Sequence, residues 1–220
     1  MADDCMKTLR GLVFLAGIAF AVPPALAGNA EGLAAANRGD YKTALAEFTE
    51  AANNGDYEAA KNIGWMYQMG RGVPMSQAEA IKWYRIAAEG GNSTAQNNLG
   101  FMIQRGLGTK KDSVEAMKWY EKSAAQNNPD ALVNIALMFV HGDGVAKDFE
   151  RGATWMRKAA ERGQVVAQFN MGVFYMGGVG VPKDEREAQA WLEKAAVGGH
   201  PEAMRMVRVL RNASDKPKAP

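Results

Sequence analysis

The chain has 220 residues, 47% of them apolar and 23% charged, with a formal net charge of +2. That length suits one globular domain or one repeat array with a real core, and the composition is that of a folded protein. The charge is small, and there is neither a basic run nor an aromatic–basic stripe, so a phosphate-tracking surface and a nucleic-acid partner are excluded.

The first 27 residues read apart from the rest. "MKTLRGLVFLAGIAFAVPPALA" opens with Lys7 and Arg10, continues as an apolar run from Gly11 to Val22, and ends on small residues at Ala25 and Ala27. This three-part pattern predicts a secretory signal over residues 1–27, cleaved after Ala27, and therefore a periplasmic or secreted protein. The apolar run is too short for a comfortable membrane span, so no stable span is expected after cleavage. The competing reading is an uncleaved anchor. Met6 competes with Met1 as the start, because Asp3 and Asp4 dilute the positive end. Removing residues 1–27 takes away two acids and two bases and leaves the charge at +2. It also takes away Cys5, the only cysteine. What remains has no disulfide and no thiol chemistry and must be held by packing.

From residue 57 to residue 200 the chain repeats itself every 36 residues. Trp83, Trp119, Trp155 and Trp191 keep that spacing, as do Gly64, Gly100, Ala136 and Gly172. So do Ala59, Ala95, Ala131, Ala167 and Ala203. Each unit reads as two short helices. Ala95, Leu99 and Ile103, four apart, make one helical stripe. A mid-helix glycine costs about 1 kcal/mol relative to alanine, so its recurrence asks for close helix–helix approach. The turns "GRGV", "GLGT", "GDGV" and "GVGV" let a tight loop join antiparallel helices. An N-cap follows in register at Ser76, Asp112, Asp148 and Asp184. Glu79, Glu115 and Glu187 stand three residues further on and predict reciprocal capping boxes; Arg151 breaks the pattern.

The pattern A-x-x-x-[LIM]-[GA]-x-x-[YIF], then G-x-G-V, then D, then A-x-x-W-x-x-x-A-A resembles the Sel1-like repeat family, a relative of the tetratricopeptide repeat. The resemblance covers four units, 57–92, 93–128, 129–164 and 165–200. Residues 28–56 resemble a shortened tetratricopeptide unit in which Gly39-Asp40-Tyr41 replaces the longer loop. Residues 201–211 read as a lone capping helix, and 212–220 as a disordered tail. The expected fold is all-α: a right-handed α-solenoid of antiparallel helix pairs with a 36-residue repeat and one shared core. The resemblance implies that its concave face docks other proteins.

No catalytic constellation stands out. His141 and His200 are the only histidines, fall in different units and make a poor zinc site. No G-x-S-x-G or S-x-x-K motif occurs after residue 27, "GRGVPMS" lacks the ending of a phosphate loop, and "HGDGVAKDFERG" lacks the ligands of a calcium loop. No cofactor and no metal are expected. Cysteine-rich members of the family have been linked to β-lactam binding or hydrolysis, and this chain lacks their cysteines. The tryptophan column reads as helix packing rather than a stacking site. The alternative to an interaction scaffold is an envelope enzyme or ligand-binding protein acting on cell wall or β-lactams. A homodimer formed through the ends of the array is a third reading.

The candidate partner-binding residues follow from register. Asn62, Asn98, Asn134 and Asn170 recur on the first helix of each unit, where a side-chain amide can donate to and accept from a peptide. The opposing reading is that each satisfies a group between units. Three residues after each Asn stand Trp65, Phe101, Leu137 and Val173; one before the last stands Phe169. Gln68, Gln104, Val140 and Met176 complete a wall that is polar in the early units and apolar later. A protein or peptide partner is the expected occupant.

Overall fold

A computed structural model describes residues 24–214, with side chains from 28 to 212. The expected signal segment up to residue 23 and the tail residues 215–220 lie outside the described residues. Eleven helices and no strand are found among those described: α1 (Pro24–Asn37), α2 (Tyr41–Asn53), α3 (Tyr57–Met69), α4 (Gln77–Glu89), α5 (Ser93–Arg105), α6 (Ser113–Ala125), α7 (Pro129–His141), α8 (Phe149–Glu161), α9 (Val165–Gly177), α10 (Glu185–Val197) and α11 (Pro201–Ser214). Each packs on the one before and the one after, which builds the right-handed α-solenoid from antiparallel pairs. One continuous core runs from Ala60 to Trp191, flanked by smaller clusters around Phe48 and around Leu192. α1 begins at Pro24, inside the segment expected to be cleaved, and α11 runs on to Ser214, beyond the expected end at residue 211.

The mid-helix glycines are seats for a large side chain on the paired helix. A Cβ at Gly64 would stand 2.8 Å from the Tyr84 ring, one at Gly100 2.9 Å from Tyr120, and one at Gly172 2.7 Å from Leu192. Gly32 bears the same relation to Phe48, which places α1 and α2 in the same architecture as the repeats. In the third repeat the registers hold Ala136 and Met156, both fully buried. A flexible thioether can yield to a methyl group where a ring cannot. In α11 the glycine register carries Arg208 instead of a small residue.

The loop glycines do two jobs. The first of each pair, such as Gly106 with φ +69°, ends the first helix in the left-handed conformation. The second packs one unit on the previous one: a Cβ at Gly108 would lie 2.3 Å from the Gln77 carbonyl oxygen, and one at Gly180 1.9 Å from that of Phe149.

The second helices are capped as expected on one side only. Ser76, Asp112, Asp148 and Asp184 each accept from a backbone N–H two or three residues on. The reciprocal half of the box does not form. The cap N–H groups donate instead to the preceding first helix, at the carbonyls of Tyr67, Ile103, Phe139 and Tyr175. A donor already used has nothing to offer a glutamate. Glu79 pairs with Lys82, and Glu115 with Arg85 of the previous unit. Ser123 stands where the other repeats carry Ala87, Ala159 and Ala195. Ser123 is fully buried and its hydroxyl donates to the Ser93 carbonyl at 2.7 Å.

Trp119 and Trp191 are buried, and Trp83 and Trp155 are half-buried against the core. Lysine ammonium groups lie over three of these rings: Lys122 on Trp119, Lys158 on Trp155 and Lys194 on Trp191, at 4.0 to 4.4 Å from the ring centroids. The column is a helix-packing element, its rim covered by lysine.

Candidate functional site

The first helices α3, α5, α7 and α9 build one continuous face, and the repeat places the same register at each step. Trp65, Phe101 and Val173 are exposed there at 41%, 38% and 37%, with Leu137 half-buried between them. Val209 of α11 extends the ladder and is exposed too. An exposed tryptophan and phenylalanine in line on one face form an apolar strip of the kind that marks an interaction surface.

The asparagine column divides. Asn62 Nδ2 donates to Asn29 Oδ1 at 3.0 Å, and Asn134 Nδ2 donates to Asn97 Oδ1 at 2.8 Å. Both bonds join one unit to the unit before it. Each uses one amide proton and leaves the other proton and the carbonyl oxygen. Asn98 lies at the Tyr84 hydroxyl. Burial pushes the pKa of that hydroxyl up, and the amide opposes the rise. Asn170 is half-buried, and its side chain makes no hydrogen bond among the described residues. Structural service between units is therefore observed at Asn62 and Asn134.

Two further expectations need adjustment. Gln68 and Gln104 are not free amides on the wall of the groove. Each accepts the hydroxyl proton of a buried tyrosine, Tyr84 Oη to Gln68 Oε1 at 2.7 Å and Tyr120 Oη to Gln104 Oε1 at 2.9 Å. Where the tyrosine gives way to Met156 or Leu192, the glutamine gives way to Val140 or Met176, so the pair is exchanged as a unit. Phe169 is stacked on His200, with ring centroids 4.2 Å apart and planes 11° apart. One face of its ring is thus spent on docking α11. His200 is itself the cap of that helix, accepting at Nδ1 from the Ala203 N–H.

Between α5 and α7 the face opens into a cleft of about 430 Å³ that contains Phe101, Asn134 and Leu137. Arg105, Lys111, Gln104, His141 and Asp143 complete it. Asp143 is its fixed point. Its Oδ1 accepts from the Ser113 hydroxyl at 2.6 Å, its Oδ2 from Gln104 Nε2 at 2.9 Å, and Lys111 Nζ stands 3.5 Å away. Those groups, Ser113 first, hold the carboxyl below the usual range against the opposing effect of burial. A chain of hydrogen bonds thus runs from Tyr120 through Gln104 to Asp143, fixing the loop after α7 onto the second unit. Arg105 lies over the Phe101 ring, 5.7 Å from its centroid. Arg105, His141 and Asp143 do not stand out in the sequence because their types do not recur at the 36-residue spacing, whereas Lys111 does recur, as Lys147 and Lys183.

Among the described residues no group of three or more His, Cys, Asp or Glu could hold a metal ion, and no helix is long and apolar enough to cross a membrane.

The family model described as Sel1 repeat matches residues 58–92, 93–128, 129–164 and 165–200. A comparison with curated proteins finds no match. Among solved structures, a Sel1 repeat protein from Oxalobacter formigenes is 31% identical, with a TM-score of 0.78, over 83% of this chain and 74% of that one. A protective antigen of uropathogenic Escherichia coli with an SLR fold is 30% identical, with a TM-score of 0.79, over 89% of this chain. The present chain covers 43% of the length of that antigen. An immunity protein of Pseudomonas aeruginosa shares the fold at 20% identity and a TM-score of 0.58, over 83% of this chain and 68% of that one. Four matched repeats, spanning well over half of the sequence, and the same helix pairing in space show that the chain belongs to the Sel1 repeat family, tetratricopeptide-like solenoids that serve in general as protein–protein interaction modules.

Proposed function

We propose that the protein is an exported, non-catalytic adaptor or regulator that binds a partner protein or peptide in the groove formed by its first helices. The observation that carries this reading is the ladder Trp65, Phe101, Leu137 and Val173 beside half-buried asparagines, with a polar cleft at its centre. Apolar side chains there supply contact area. Amides with unused donors and acceptors supply hydrogen bonds to a backbone. The signal-like residues 1–27 support export to the periplasm or the exterior.

A crosslinking pull-down from the exported fraction tests the reading. Wild type is compared with the Asn98→Ala, Asn134→Ala, Leu137→Ala triple variant, its fold checked by circular dichroism. Loss of the partner with helicity intact supports the groove. Equal retention moves the site to the second-helix face or the ends.

A further inference from the structure

Resting on that groove reading, we propose that the cleft between α5 and α7 takes the side-chain carboxylate of an Asp or Glu in a partner segment that runs through the groove. Three observations lead there. The cleft holds two permanent cations, Arg105 and Lys111, against one carboxylate, Asp143. Asp143 has both oxygens engaged, by Ser113, Gln104 and Lys111, so it is not a free acceptor for an incoming donor. Arg105 is exposed, with its guanidinium over the Phe101 ring rather than paired to a carboxylate among the described residues. A planar fork of donors held in this way suits a carboxylate.

The charge selects the class of anion. One excess positive charge matches a single carboxylate and undercompensates a phosphate, which carries close to two negative charges at neutral pH. The place in the fold selects the source. Exposed ladder residues continue on both sides of the cleft, with Trp65 towards the N-terminus and Val173 and Val209 towards the C-terminus. A chain lying on the whole ladder passes through this point and does not end at it. The group presented there is therefore an acidic side chain, not a terminal carboxylate. Leu137 and the Phe101 ring line the same cleft and would cover the aliphatic stem of that side chain.

Selection from a displayed library of random 15-residue peptides, with the full chain as bait, tests this. Peptides enriched on wild type are re-measured as synthetic, C-terminally amidated peptides against wild type and Arg105→Gln/Lys111→Gln. Both substituted residues are exposed or lie in a loop, and thermal melting checks the fold. The expected result is an Asp or Glu at one fixed internal position of the enriched peptides. Affinity should fall at least tenfold when that acid becomes its amide or when the double variant is used, and should be indifferent to C-terminal amidation. Enriched peptides without a fixed acid, which still need Asn98 and Leu137, would overturn the cleft assignment and leave the groove reading standing. Binding abolished by amidation would overturn it in favour of a terminal carboxylate. Absence of any enrichment would count against the groove reading itself, and the cleft assignment would fall with it.

Discussion

Gly100 lies against the ring of Tyr120 so closely that a Cβ at 100 would stand 2.9 Å from Cδ1 and Cε1. The ring has no way to yield. It is fully buried, and its hydroxyl is held by Gln104. Gly100→Ala gains helix propensity worth about 1 kcal/mol but pays for it in overpacking, commonly 1–3 kcal/mol. The expected net effect is a loss of stability in urea unfolding. Adding Tyr120→Met recreates the Ala136–Met156 pair of the next unit. The double variant should be less destabilised than the sum of the singles. Strict additivity would mean that residues 100 and 120 are not coupled.

The asparagine column can be divided between structure and binding by its own partners. Asn134 donates to Asn97, so Asn97→Ala and Asn134→Ala both remove that inter-unit bond. Each should cost about 0.5–1.5 kcal/mol of stability. Only Asn134→Ala is expected to weaken partner binding as well, because residue 134 lines the cleft. Equal affinity loss in both variants would assign the effect to the geometry of the unit interface.

Trp119→Ala should behave in the opposite manner. Trp119 is buried between helices, donates from Nε1 to Glu115 at 3.3 Å and carries Lys122 over its ring. Truncation leaves a core cavity, with an expected cost of about 3–5 kcal/mol. Affinity per folded molecule, measured well below the melting temperature, should be unchanged.

Asp143 predicts an acid response. Its pKa is depressed in the folded state, so its contribution is fully present above the ordinary carboxylate value. That contribution is lost as pH falls through the depressed one. Wild type and Asp143→Asn should differ in unfolding free energy by about 1 kcal/mol, constant from neutral pH down to about 5. The gap should close only below about pH 4. A gap that closes above pH 5 would mean that another group dominates.

What the sequence made legible follows its period. Everything that recurs at 36 residues could be read: the helix pairs, the glycine seats, the second-helix caps and the ladder from Trp65 to Val173. Two recurrent columns carry a less obvious signal: Lys111, Lys147 and Lys183 just before the second-helix caps, and the caps of the first helices. The first-helix caps Asp56, Asn92, Asn128, Gln164 and His200 stand in the same register, and three of them are asparagine or glutamine rather than the acid found on the second helices. The reciprocal capping boxes do not form because the cap N–H is already bonded, and only the fold brings the preceding helix's carbonyl to it. The cleft was illegible for a different reason. Arg105 and His141 share a register with Met69 and Gly177, and Asp143 shares one with Arg71, Leu107 and Val179. Residues that depart from the repeat are lost in a search for what recurs, yet they distinguish this solenoid from another with the same core.

The most direct test of the central claim is site-specific photo-crosslinking in the living cell. A benzophenone amino acid replaces Leu137 on the first-helix face or, as the control, exposed Glu121 on α6. A discrete crosslinked partner is expected from position 137 and none from position 121. A partner captured from 121 and not from 137 would contradict it.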